Sequence, residues 1–185
     1  TIWTPDLERQ KIYKVIPERY REDFQVTRMA INSLLLPHVD NDFITTINFY
    51  FEPNDYRTIF WGVKPGARSW KTEEKQDQFV DTIPLKDEDV DPEVLKNRVK
   101  EFVAEKQNMP TIEEITYVDA VYSFEDVYEI GCFVAQPEEA YMLDVRLPHS
   151  VEPLNGAKLR KALSLRTKKY EFYQVYEMLQ ETGNL

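Results

Sequence analysis

An α+β fold, with a mostly antiparallel sheet of five to six strands and helices packed on one face, is what this sequence predicts. The expected order is α-α-β-β-(β)-α-β-β-β-α. Three observations carry the prediction. Residues 114–122, 127–135 and 140–147 read as strands joined by the short polar turns Ser123-Phe124-Glu125-Asp126 and Pro137-Glu138-Glu139, and short turns favour antiparallel neighbours. The aromatic and β-branched stretch from Phe43 to Val63 breaks at Pro53-Asn54-Asp55, as a hairpin would. Apolar residues recur at helical spacing in 17–36 and again in 92–103.

Each element has a local reason. Thr4-Pro5-Asp6 starts a helix that Pro17 limits to Ile16; this less apolar segment, 1–16, reads as an arm packing on a neighbour, with 17–185 as one domain. Pro17 opens a second helix to Leu36, with Tyr20, Phe24, Thr27, Ile31, Leu34 and Leu35 as its apolar stripe. In the hairpin, Phe43, Thr45, Ile47, Phe49 and Phe51 share the face expected to meet the core. Residues 64–78 read as irregular, and 79–85 as a short edge strand. Asp91-Pro92-Glu93 caps a helix whose buried side is Val94, Leu95, Val99, Phe102 and Val103. After the three strands, 148–153 reads as a loop. A last helix is expected over 156–182, with Asn155 as its cap and Gly183 as its stop.

Composition narrows the function classes. The chain of 185 residues is 42% hydrophobic and 13% aromatic, enough for one core. It has one cysteine and no zinc-type ligand spacing, which points to a reducing compartment. No apolar run reaches membrane-spanning length, and Thr1–Gln10 lacks a secretory apolar core, so a cytoplasmic rather than secreted protein is expected. The net charge of −10 is uneven: residues 81–139 hold 16 acids and 5 bases, against 12 and 11 before them and 5 and 7 after. Such a block repels nucleic-acid phosphates and attracts a basic surface. No two of the five glycines fall in a phosphate-cradling pattern, so nucleotide chemistry of that kind is not expected, and no cofactor is expected.

Few residues suggest catalysis. Cys132 sits in the apolar run Ile130-Gly131-Cys132-Phe133-Val134 and reads as an inert core thiol. The acid pairs Glu113-Glu114, Glu125-Asp126 and Glu138-Glu139 border turns and read as solvated. Asp40-Asn41-Asp42, just after His38, has the form of a D-x-D metal pair on a loop entering a strand, which makes Asp40 and Asp42 the metal candidates. Two basic clusters point instead to contact. Trp61 and Trp70 lie among Arg57, Lys64, Arg68 and Lys71; Lys158, Arg160, Lys161, Arg166, Lys168 and Lys169 follow one another with no acid between them. The contact candidates are therefore Trp61, Arg68, Trp70, Lys71, Lys158, Arg160, Lys161 and Lys168. A basic edge of one copy docking on the acidic block of the next would build a ring or stack.

The order of elements resembles that of small assembly proteins, including ring-forming neck and tail-completion proteins of tailed phages. That resemblance is one of fold order alone and implies a virion-associated structural subunit. The sequence reading is thus a non-enzymatic binding or assembly protein that meets a protein partner or itself. The alternatives are an acidic inhibitor acting by charge mimicry across residues 87–126, and a metal-dependent hydrolase centred on Asp40 and Asp42.

Overall fold

The computed structural model describes residues 11–52, 55–71, 74–75, 78–79, 82–84, 91–107, 120–154, 157 and 159–185. In chain order its strands are β1 (Phe24–Ile31), β2 (Ser33–Val39), β3 (Thr45–Phe49), β4 (Tyr56–Val63), β5 (Ser69–Lys71), β6 (Glu74–Lys75), β7 (Gln78–Phe79), β8 (Thr82–Pro84), β9 (Ala120–Tyr122), β10 (Val127–Val134), β11 (Ala140–Asp144), β12 (His149–Pro153) and β13 (Arg160–Thr167). The helices are α1 (Pro92–Gln107) and α2 (Phe172–Glu181), with 3-10 turns at Glu18–Asp23 and Phe124–Asp126; residues 11–13 are also helical.

The chain is mixed helix and sheet, and its strands pair antiparallel, but they form two principal sheets rather than one. A four-stranded sheet runs β1-β13-β3-β11. A seven-stranded sheet runs β10-β4-β12-β2-β9-β5, with β8 also on β2; β6 and β7 form a small separate pair. The two parts of the expected hairpin, β3 and β4, therefore lie in different sheets, as do β10 and β11.

The sheets face each other, and a helix covers the outer side of each. On the four-stranded sheet, Phe24, Ile47, Leu163 and Leu165 form one buried cluster with Val175, Met178 and Leu179 of α2 and with Ile12 and Ile16. Burying a side chain of this size contributes about 1.5–3 kcal/mol. On the seven-stranded sheet, Leu34, Leu36 and Val121 pack against Val99 and Val103 of α1. Alternate residues of the same strands turn inward. Leu35, Tyr56 and Val151 meet Ile31 there, and Tyr50, Ala135 and Ala162 form a second inner cluster. Helices thus sit on two opposite outer faces, not on one.

Two expected helices are strands over part of their length; of the helix expected over 156–182, Phe172–Glu181 is helical. Residues 24–31 and 160–167 pair with each other over their full length, from Phe24 with Thr167 to Ile31 with Arg160. That ladder overrides the helical spacing of one and the Lys, Arg, Leu and Ala content of the other. Segment 148–153, expected as a loop, contains β12, which pairs with both β2 and β4. The arm expected at 1–16 is, for the residues described, part of the core: Ile12 and Ile16 are buried, and Thr182 Oγ1 donates to the Val15 carbonyl at 2.7 Å. Residues 1–10 lie outside the described residues.

Local signals held where they were strong. The Asp91 carboxylate accepts the Glu93 backbone N–H at 2.9 Å at the start of α1. Gly183 has φ 73° just past α2, and Asn184 N–H reaches the Leu179 carbonyl at 2.9 Å, closing a Schellman turn.

Candidate metal centre

The chain has two histidines, and both sit in the same tripeptide: Leu36-Pro37-His38 and Leu147-Pro148-His149. Each imidazole folds back over its proline. His38 Nδ1 lies 2.7 Å from the Leu36 carbonyl, and His149 Nδ1 lies 2.9 Å from the Leu147 carbonyl. A carbonyl can only accept, so each Nδ1 carries the proton and donates. In the neutral ring the lone pair then sits on Nε2, the arrangement that prepares a histidine to bind a metal.

Strand pairing brings the two rings together. His38 on β2 stands opposite His149 on β12, with ring centroids 4.4 Å apart and planes inclined by 49°. Because β2 and β12 run antiparallel, the two Leu-Pro-His segments meet with approximate local two-fold symmetry. Proline has no N–H for the ladder, and the β2–β12 register shifts between His149 and Val151 beside Pro37.

Asp40 completes the group. His38 Nε2 lies 3.6 Å from Asp40 Oδ1. The other oxygen, Oδ2, accepts from Arg166 Nη2 of β13 at 2.8 Å, across the gap between the sheets. One ligand atom from each of His38, Asp40 and His149 lies within 4.8 Å of the other two, and all three residues are buried. Ligand atoms on a tetrahedral ion with bonds of ~2.1 Å stand about 3.4 Å apart, so the group closes on an ion with shifts of about 1 Å. Burial, with the neighbouring His38 adding to it, pushes the His149 imidazolium down to about 4, against the pull of Asp40. His149 is therefore a neutral ring, the form that ligates. Two imidazoles and one carboxylate suit zinc and its neighbours better than magnesium or calcium, which prefer oxygen.

Of the two acids expected to bind metal, only Asp40 belongs here. Asp42 lies 3.5 Å from Lys168 Nζ instead, because the chain bends at Asn41 and Asp42 as it leaves β2. Arg166 and Lys168 both stand over the Phe43 ring, at 3.9 and 5.0 Å from its centroid. They hold the 40–43 corner onto β13.

Not all of the contact candidates reach the surface. Arg160 is 1% exposed, so it cannot meet a partner in the folded chain. Its inward position on β13 is the reason, where a helix would have left it in solvent. Lys161 is exposed but lies 3.3 Å from Glu52, and Lys168 lies beside Asp42. Trp61 is half-buried, its Nε1–H donating to Ser150 Oγ at 2.9 Å and its ring set against Phe124. Trp70 is half-buried against the α1 cluster, while Arg68 is exposed. Lys158 lies outside the described residues, and so does the side chain of Lys71, which ends β5. Residues 85–90 and 108–119 of the acidic block lie outside them as well. Cys132 is exposed on β10 rather than a core thiol; a hydrogen bond with Glu129 pushes its pKa up and keeps it protonated.

Comparison of the chain with protein-family models, with curated proteins and with solved structures finds no match.

Proposed function

We propose that this protein binds a divalent transition-metal ion, of which zinc is the type, through His38 Nε2, Asp40 Oδ1 and His149 Nε2. The observation that supports it is the paired Leu-Pro-His geometry: two buried rings, each with its Nδ1–H committed to a backbone carbonyl, facing one buried carboxylate. The ion's role is structural. It ties β2 to β12 and, through Asp40 and Arg166, links the seven-stranded sheet to β13. Burial of all three ligands favours this role over hydrolysis, which needs an open coordination position for water and substrate. The hydrolase reading built on Asp40 and Asp42 also loses its second acid to Lys168.

The test is metal analysis of the purified protein by native mass spectrometry, followed by calorimetric titration of the metal-free form with Zn²⁺. One ion per chain is expected, with binding abolished in H38A/H149A. No heat with Zn²⁺, Co²⁺ or Ni²⁺ would end the proposal.

A second reading, the assembly subunit, keeps one supporting observation. Strand β10 ends the seven-stranded order, and its Tyr128 and Ile130 are 53% and 56% exposed. An end strand with outward apolar residues is a surface on which another chain can pair. Sedimentation of the wild type against I130K separates this reading from a monomer.

A further inference from the structure

Among the described residues, the polar side chains between the sheets are answered, with one exception. Ser164 Oγ donates to Asn48 Oδ1 at 2.6 Å, and Asp40 meets Arg166. The exception is Arg160, which opens β13 and points inward. Its Nη2 donates to the Tyr50 hydroxyl and, at 2.9 Å, to Thr58 Oγ1. Its Nε and Nη1 are buried and have no hydrogen-bond partner among the described residues. No carboxylate among the described residues forms an ion pair with it, and its Cζ lies 4.9 Å from the centroid of the Tyr50 ring.

A guanidinium keeps its charge in a protein, and a buried charge is costly unless paired. Hydroxyls and a ring face solvate the cation in part and neutralise none of it. Buried donors left open mark a place where a water or ion completes the structure. Tyr50, to which it donates, packs in the inner cluster with Ala135 and Ala162. Tyr56, itself 1% exposed, feels the same charge, which lowers its phenol pKa against the larger rise caused by burial. A water would satisfy the hydrogen bonds but leave the charge; a monovalent anion satisfies both.

We propose that Arg160 holds a single small anion of the chloride class between the two sheets, through Nε–H and Nη1–H. The enclosed position limits the guest to one small ion and leaves out organic carboxylates and phosphates. The site is independent of the metal proposal. Arg160 and Arg166 are six residues apart on one strand, about 20 Å along it.

The experiment is thermal unfolding of the full chain in sodium chloride and in sodium gluconate at equal ionic strength, for the wild type and R160M. Chloride is expected to stabilise the wild type specifically. Above its dissociation constant, each tenfold rise in chloride should raise the folded-to-unfolded ratio tenfold, while R160M should respond alike to both salts. Equal response of the wild type to the two salts would overturn the proposal. If R160M does not fold, diffraction from wild-type crystals grown in bromide decides. A bromine anomalous peak against the Arg160 guanidinium supports the site, and a water there with no anomalous signal removes it.

Discussion

Replacing Arg166 with methionine separates the metal reading from a purely structural ion pair. The pair is enclosed enough to matter: the side chains of Arg166 and Asp40 are 22% and 12% exposed, with Nη2 and Oδ2 2.8 Å apart. With charge centres about 4 Å apart and an effective dielectric constant of about 20, their attraction is about 4 kcal/mol. Removing one partner of such a pair costs about 3–5 kcal/mol, because the other charge is left buried and alone. Methionine keeps the unbranched aliphatic part of the side chain while removing the guanidinium, so the metal-free R166M protein should lose about 3 kcal/mol. For a chain of this size that lowers Tm by about 6–12 °C. Zinc should then protect the variant more than the wild type, because Asp40 no longer shares its charge with Arg166. At a free concentration one hundred times its dissociation constant, zinc stabilises the wild type by about 2.7 kcal/mol. If R166M binds tenfold more tightly, the same zinc stabilises it by about 4.1 kcal/mol. Differential scanning calorimetry of both proteins, dialysed against chelator and then titrated with zinc, reads each quantity. Equal zinc shifts in the two proteins, or a metal-free R166M as stable as the wild type, would refute the reasoning that Asp40 is shared between the cation and the ion.

Two further outcomes follow from the packing. Ile16 is fully buried beside α2, so I16A should cost about 3 kcal/mol and lower the urea midpoint at unchanged slope; a projecting arm would leave the midpoint where it was. Asp23 accepts from Lys169 Nζ at 2.8 Å and from the Tyr170 hydroxyl at 2.6 Å, and Lys169 foremost holds its carboxyl below the usual range. A carboxylate whose pKa falls on folding adds stability above its unfolded value of about 3.9, and that stability fades as pH drops through the folded value. D23N should therefore show a flatter Tm-against-pH curve than the wild type below about pH 5, and superimposable acid limbs would rule the contribution out.

Where the sequence reading succeeded, the signal was local. Asp91-Pro92-Glu93 capped α1 because the cap is made within three residues. Gly183 ended α2 because a left-handed residue there is a property of the turn itself. The two largest errors were a single error made twice. Residues 24–31 and 160–167 were each expected to be helical, and each is the other's strand partner. Arg28, Met29 and Ala30 on one strand, and Lys161, Ala162 and Leu163 on the other, are good helix formers when weighed alone. Their strand identity rests on a partner more than a hundred residues away, and each misreading removed the evidence that would have corrected the other.

The same separation hid the site. Asp40 is legible as an acid of the D-x-D type, but the residue that joins it from afar, His149, comes from the neighbouring strand and not from two positions on. His149–Pro153 reads as a loop because it is short, ends in proline and does not alternate cleanly; it is a strand because β2 and β4 flank it on both sides. One signal was nevertheless present. Both histidines of the chain follow Leu-Pro, and in both the ring turns back to the carbonyl two residues earlier. Each contact lies within its own tripeptide, so the hydrogen bond that leaves Nε2 as the free ring nitrogen is local in sequence. Two prepared imidazoles in a chain that has no others are a reason to test whether they meet. What the fold adds is the antiparallel register that sets His38 against His149, and the Arg166 contact that turns Asp40 toward them both.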